Sequence, residues 1–363
     1  MGRDRGMELQ KYRLSQLLTI KNGKDYKSLN VGDVPVFGSG GYMCSVDSFL
    51  YDKPSVLLPR KGTLSNIQYY NEGAFWTVDT CYYTIVNEEL VDSYYIYRYL
   101  RNLDLSGLDT GASIPSMTQK TYNGIKVLLP SLETQHRIAS ILSTYDTLIE
   151  NNTKRIRLLE KMAENLYKEW FVRFRFPGHE KVEMERGLPK GWKIKRYEDE
   201  LNVKYGKGLP TDKLTDKGYP VFGSNGQIGY YTSYIYEQPQ ILISCRGASS
   251  GVVNISLPKS FVTNNSLVCE IGGNTESVFE YLKYYFLNTN LVQYQTGSAQ
   301  PQITINNIAK LKMLVPSKGV QNKFGEKVRG IDNEIQNLAK QNTLLARQRD
   351  LLLPRLMSGK LEV

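Results

Sequence analysis

Histidine is almost missing from this 363-residue chain, which holds only His136 and His179. With no third imidazole, clustered histidine metal sites lack material, and hydrolytic triads have two scattered candidates at most. Cysteine is sparse as well: Cys44, Cys81, Cys245 and Cys269 form no CxxC pair and no dense framework. That excludes a disulfide scaffold and a zinc ribbon, and the expectation is four reduced thiols in a cytoplasmic protein. No apolar run approaches the length of a bilayer span, and Met1 to Arg13 is charged throughout. Neither a signal peptide nor a membrane anchor is expected there. Nucleotide signatures are lacking too. Gly38-Ser39-Gly40-Gly41 does not have dinucleotide-binding spacing, and no phosphate loop ending in Gly-Lys-Ser/Thr is present.

What the chain does have is duplication. Apolar residues recur at steps of three and four through Ile138, Leu142, Tyr145, Ile149, Ile156, Leu159, Ala163, Leu166 and Trp170, with Asn152 as a polar intruder. This is a coiled-coil seam on a helix running from Leu132 to about Phe171. A second seam runs through Phe324, Val328, Ile331, Ile335, Leu338, Leu345 and Leu352, each 186 residues after a position of the first. Asn342 is polar within it, and Arg349 interrupts it. Ser131 is a good N-cap for the first helix, with Glu133 in its first turn. The second helix is expected to start near Lys318 and to break before Pro354.

The segments before the helices repeat as well. Pro220-Val221-Phe222-Gly223-Ser224-Asn225-Gly226 repeats Pro35-Val36-Phe37-Gly38-Ser39-Gly40-Gly41 at an offset of 185. At the same offset Gly247 after Arg246 matches Gly62 after Lys61, and Phe261 matches Trp76. Beyond a one-residue insertion, Gly297 to Ile303 matches Gly111 to Met117. A constant register over this length means a tandem repeat. Short strands such as Ser55 to Leu58 and Tyr82 to Val86, with a helix near Asp92 to Arg101, give each segment an α+β texture. The expected domains are 1–131, a helix with an aromatic tail over 132–176, 177–316 with a linker-like start, and a helix with a short tail over 317–363.

Each helix alone would expose about ten large apolar side chains, worth roughly 1.5–3 kcal/mol each on burial, so each needs a partner. An antiparallel pair requires no return of the chain along the helix. With Asn152 set opposite Asn342, Ile149 meets Leu345, Ile156 meets Leu338, Leu166 meets Val328, Trp170 meets Phe324 and Tyr145 meets Arg349. The two asparagines then fix the register. At about 1.5 Å per residue the pair forms a rod of roughly 55 Å between two modules related by a pseudo-twofold axis.

Lys and Arg outnumber Asp and Glu by 46 to 36, and 26 tyrosines are present. Two similar basic modules at a fixed separation suit a bipartite duplex target. The residues expected to touch DNA are Ser39, Tyr42, Arg60, Lys61 and Lys120 in the first module. In the second they are Ser224, Asn225, Tyr230, Arg246, Ser249, Ser298, Gln300 and Gln302. The modules differ at these turns, so they should read different sequences.

Thr296-Gly297-Ser298-Ala299-Gln300-Pro301-Gln302-Ile303, followed by Leu314-Val315-Pro316 and the second helix, its partial copy from Thr110 to Pro130, and Trp170-Phe171 with Phe174 carry a resemblance. Together with the repeat plan, the chain resembles the specificity subunit of Type I restriction-modification enzymes over essentially its whole length. The resemblance implies two target recognition domains that read the halves of a split, asymmetric site in double-stranded DNA. It further implies that the helices set the gap and dock two methyltransferase subunits, which bind S-adenosylmethionine, with restriction/translocase subunits joining them. Trp170, Phe171 and Phe174 are the expected docking residues, and the second helix has no equal aromatic tail. No cofactor, metal or catalytic residue is expected in this chain. It also lacks the Asn-Pro-Pro-aromatic and Asp-Pro-Pro-Tyr stretches of amino-methyltransferases. The alternative is a non-enzymatic coiled-coil scaffold whose globular segments bind protein.

Overall fold

The computed structural model describes residues 8–109, 114–272, 275–297 and 300–361. It divides into two compact units, 1–152 with 341–363 and 153–340. Each unit therefore takes half of each long helix, where the sequence reading placed boundaries at the helix ends.

In the first unit, the strands Leu18–Asn22, Cys81–Val86, Ser55–Pro59 and Gln68–Tyr70 lie in that order in an antiparallel sheet. Ser55–Pro59 is buried along its whole length, as suits an inner strand with the apolar run Val56-Leu57-Leu58. A smaller sheet joins the hairpin Val31–Gly38 and Gly41–Val46 to Trp76–Thr77, which runs parallel to the first of these strands. Gln10–Arg13 pairs with Lys126–Leu129 and brings the two ends of the globular segment together. The helix Ser93–Arg101 starts where Asp92 accepts from the Tyr95 amide at 2.7 Å.

The second unit repeats this plan strand for strand. Asn202–Tyr205, Ser266–Glu270, Ile241–Ser244 and Val253–Ile255 form the larger sheet, and Gly226–Tyr231, Tyr219–Gly223 and Phe261–Val262 the smaller. Lys193–Arg196 closes on Lys312–Val315. The agreement reaches single residues: Val36 pairs with Trp76 and Val221 with Phe261, each at the foot of a bulged hairpin.

The first long helix is α-helical over Leu132–Tyr167, and a π-helical turn, Lys168–Val172, finishes it. The second spans Lys318–Met357 and runs through Pro354. This corrects the expected break. Proline costs the bond that would reach the Asp350 carbonyl, but it sits in the last turns, where Leu353 and Leu356 are buried on the first unit's core. Within each unit the helix halves pack antiparallel. In the second, Trp170 and Phe324 have ring centroids 5.8 Å apart, as the seam register requires. In the first, Asn152 donates to Gln341 Oε1 rather than to Asn342, at 3.4 Å, and Asn342 Nδ2 reaches the Ile149 carbonyl at 3.4 Å. The asparagines thus cross the seam at the expected level without bonding each other. Arg349 Nη1 bonds Asp146 Oδ1 at 2.5 Å, the neighbour of the expected Tyr145.

The stretch after the first helix is more than a linker. It holds the hairpin Met184–Glu185 with Leu188–Pro189 and carries Trp192 into the second core.

Candidate nucleic-acid interface

Corresponding turns in the two units gather most of the residues singled out above. In the first unit, the hairpin turn at Ser39 is held by side chains from a neighbouring strand and loop: Asn66 Nδ2 donates to the Ser39 carbonyl at 2.6 Å and Gln68 Nε2 to the Gly38 carbonyl at 2.9 Å. The Arg60 and Lys61 amides both donate to the Thr80 carbonyl, at 2.9 and 3.3 Å. Lys61 bridges Ser116, and the Gly62 amide donates to the Pro115 carbonyl at 2.8 Å. Gly62 has φ +93°, and a Cβ there would lie 3.4 Å from Ser39 Oγ. Ser39, Arg60 and Lys61 therefore share one surface. Tyr42 stands on the same hairpin, exposed, with its hydroxyl 3.1 Å from Ser45 Oγ and its ring edge-on to Phe37. Lys120 lies apart, on the helix Gln119–Asn123 beside Leu108 and Lys126.

The second unit builds the same corner from different side chains. Arg246 bridges Gln302 as Lys61 bridges Ser116, and the Gly247 amide donates to the Pro301 carbonyl at 3.0 Å. Gly247 keeps the positive φ, +77°. Ser244 Oγ holds the Ser224 carbonyl, and Ser249 Oγ donates to Asn225 Oδ1, tying the hairpin turn to the Arg246 loop. Gln302 pairs with Thr296 through two 2.9 Å backbone bonds. Gly297 between them has φ +86°, and a Cβ there would meet the Gln300 carbonyl at 2.7 Å. Ser224, Asn225, Arg246, Ser249, Gln300 and Gln302 are thus brought together. Tyr230 is not, since it pairs with Pro220 and bridges Thr215 further down the hairpin. Ser298 lies outside the described residues.

Some lysines and arginines elsewhere are matched with carboxylates, as in Lys283–Asp332, Arg329–Glu280 and Arg155–Glu334. Arg60, Lys61 and Arg246 form no ion pair among the described residues, although Arg60 Nη1 caps the Asp79 carbonyl at 3.3 Å. Lys24 and Lys207, missed in the sequence reading, likewise form no ion pair among the described residues. Their amides donate to the Thr77 and Val262 carbonyls at 2.8 and 2.9 Å, at the strand that pairs with each hairpin. The signal was the Gly-Lys pair preceding each hairpin, at 23–24 and 206–207, but its offset of 183 falls outside the main register.

Three of the four thiols, Cys81, Cys245 and Cys269, are buried. Burial pushes Cys81 and Cys269 up to about 12, and raises Cys245 against the opposing pull of Arg246. Among the described residues, no group of three or more His, Cys, Asp and Glu is arranged to hold a metal ion, and no helix is long and apolar enough to cross a membrane.

Comparison with known proteins decides the family. A profile described as the Type I restriction modification DNA specificity domain matches residues 7–161 and again 189–346. The chain belongs to the Type I restriction-modification DNA specificity family. The MjaIX specificity subunit of Methanocaldococcus jannaschii is 27% identical over 316 residues, covering 79% of this chain and 73% of its own. The putative specificity subunit S.MgeORF438P of Mycoplasma genitalium is 20% identical over 332 residues, covering 87% and 84%. A crystal structure of the Type I system S subunit from M. genitalium matches 98% of both chains with a TM-score of 0.67 at 20% identity, which shows the shared fold. The profile matches each half of the repeat once, and DNA sequence specificity is the role of the family.

The docking residues expected for such a subunit need correction. Trp170 and Phe171 are buried in the second core, where Phe171 packs on Phe324 and Tyr281 with centroids 4.9 and 4.8 Å apart. Phe174, at φ +58°, lies half-buried with its edge on Trp192 at 5.5 Å. An apolar tail in so short a connection is drawn into the core it borders instead of remaining on the surface.

Proposed function

We propose that this chain is the non-catalytic DNA-reading subunit of a Type I restriction-modification assembly, with each unit reading one half of a split, asymmetric duplex site. The observation that carries this reading is the repeated corner, where a cation and a left-handed glycine cross a second loop beside a hairpin turn, with no carboxylate on the cation. Cations without a carboxylate partner are available to phosphates, while the amides and hydroxyls beside them suit base edges. The first corner presents Ser39, Arg60 and Lys61, and the second Ser224, Asn225, Arg246, Ser249 and Gln302, so the two halves of the site should differ in sequence.

Methyl transfer then belongs to partners. Two methyltransferase subunits carrying S-adenosylmethionine dock on the long helices through surfaces other than the buried Trp170 and Phe171, and restriction/translocase subunits join them in the cytosol. The chemistry of the chain itself is binding and alignment.

The test is duplex binding by the chain co-purified with its methyltransferase, measured against salt. Phosphate-dominated recognition makes log Kd rise linearly with log salt, with a slope of several units. Salt-independent or absent duplex binding would instead favour a protein-binding scaffold.

A further inference from the structure

Three arginines converge in the first unit where the helix Ser93–Arg101 meets the last turns of the helix Lys318–Met357. Arg98, Arg101 and Arg349, with Asn102, Asp350 and Leu353, line a cavity of about 180 Å³. The Arg98 side chain is only 3% exposed, yet its Nε and Nη2 have no hydrogen-bond acceptor among the described residues. Its ion pair with Asp146 Oδ1 is long, at 3.5 Å, because that oxygen is already taken by Arg349 Nη1 at 2.5 Å. The other Asp146 oxygen receives the Tyr94 hydroxyl. Arg349 also engages Asp350 through Nε and Nη2, at 2.9 and 2.8 Å, and Arg101 Nη1 donates to the Tyr97 hydroxyl at 2.6 Å. Three guanidinium groups thus face two carboxylates, and the most buried of the three is the least satisfied.

A buried charged donor without an acceptor is strongly unfavourable, and native structures rarely keep one unless something binds there. We propose that this cavity is an oxyanion site for a phosphate group, supplied as inorganic phosphate or as the end of a mononucleotide. A tetrahedral oxyanion presents several acceptors at once, which suits converging planar guanidinium forks, and the space admits a phosphate without a large ligand body. Tyr94 and Tyr97 flank Arg98 with their rings 5.8 and 5.7 Å from its Cζ and fix its direction.

The site belongs to the first unit alone. At the repeat offset of 186, Arg98, Arg101 and Arg349 become Tyr284, Leu287 and Ala163. In the second unit Lys283 and Tyr284 both bond Asp332 Oδ1, at 2.6 and 2.7 Å, so that corner is internally neutralised. The site also gives a purpose to Arg349, the residue that breaks the apolar seam.

The experiment is titration calorimetry on the full chain, co-purified with its partners, at constant ionic strength. Inorganic phosphate and adenosine monophosphate are the two probes. Arg101→Leu installs the second unit's residue at an exposed position, and Arg173→Gln serves as a remote charge control. Saturable binding of either probe that weakens at least tenfold in Arg101→Leu and is unchanged in Arg173→Gln supports the site. Equal affinity for the two probes assigns the phosphate group alone, and tighter binding of the nucleotide assigns the ester as the source. Arg98→Lys, which keeps the charge but loses the fork, should weaken binding likewise. No saturable binding of either probe, or binding indifferent to Arg101→Leu in a variant with native circular dichroism, overturns the proposal.

Discussion

Replacing Arg246 with alanine should relax base preference in one half-site and leave the other intact. Its backbone is locked against Gln302 while its guanidinium makes no ion pair among the described residues, so what changes is the group presented to DNA. Binding to one-half variants of the site should weaken by about 1–3 kcal/mol at the affected positions, while equal weakening on all sequences would make Arg246 a phosphate contact. A second residue-level prediction concerns Gly206, where a Cβ would lie 2.2 Å from the Thr263 carbonyl oxygen. Gly206→Ala should cost about 2–4 kcal/mol in chemical denaturation, because backbone atoms cannot yield as a flexible side chain can. At this scale the sequence was partly legible. Lys61-Gly62 and Arg246-Gly247 stood out because a left-handed turn favours glycine and the pair recurs in register. Asn66 and Gln68, which hold the first hairpin turn, did not, since polar residues on a loop or strand look the same whether they bond a carbonyl or water.

The long helices were the most legible elements, because an apolar period sustained over ten turns has no competing explanation. Their ends were less so. Pro354 reads as a stop, and only the burial of Leu353 and Leu356 shows why the helix survives it. The aromatic tail reads as a sticky surface, and only the fold reveals that the surface is its own core. Two buried glutamines went unnoticed although they are 186 residues apart. Gln135 donates to the Pro130 and Leu90 carbonyls at 3.0 and 3.2 Å and accepts from the Asp92 amide at 3.1 Å. Gln321 repeats this with Pro316 and Val278, at 2.7 and 2.8 Å. Each fastens the start of a long helix to the globular helix of its unit. Gln135→Ala orphans one buried and two half-buried backbone groups and should destabilise the chain by about 1–3 kcal/mol in urea titration. The seam asparagines should behave in the opposite way. The bonds by which they cross the seam, at 3.4 Å, are at the weak end of hydrogen bonding. Changing both Asn152 and Asn342 to Leu should raise the melting temperature, and a large loss of stability would show that they hold more than register.

The plan of the whole chain is a repeat, and the repeat is what ties the turns to a function. Two units with the same strand order present the same corner with different side chains, which is the economical way to read two unlike half-sites. Each long helix contributes residues to both units. On the proposed reading its length is therefore a parameter of the target: deleting one heptad from each helix removes about 10.5 Å, and the gap in the recognised site should shrink by roughly three base pairs. The measurement that tests the central claim most directly is a map of methylated bases in the genomic DNA of cells co-expressing this chain with methyltransferase subunits. The account predicts one motif of two unlike base blocks across a fixed gap, with Arg246→Ala altering a single block. A continuous motif, or a split motif indifferent to substitutions in both corners, would contradict it.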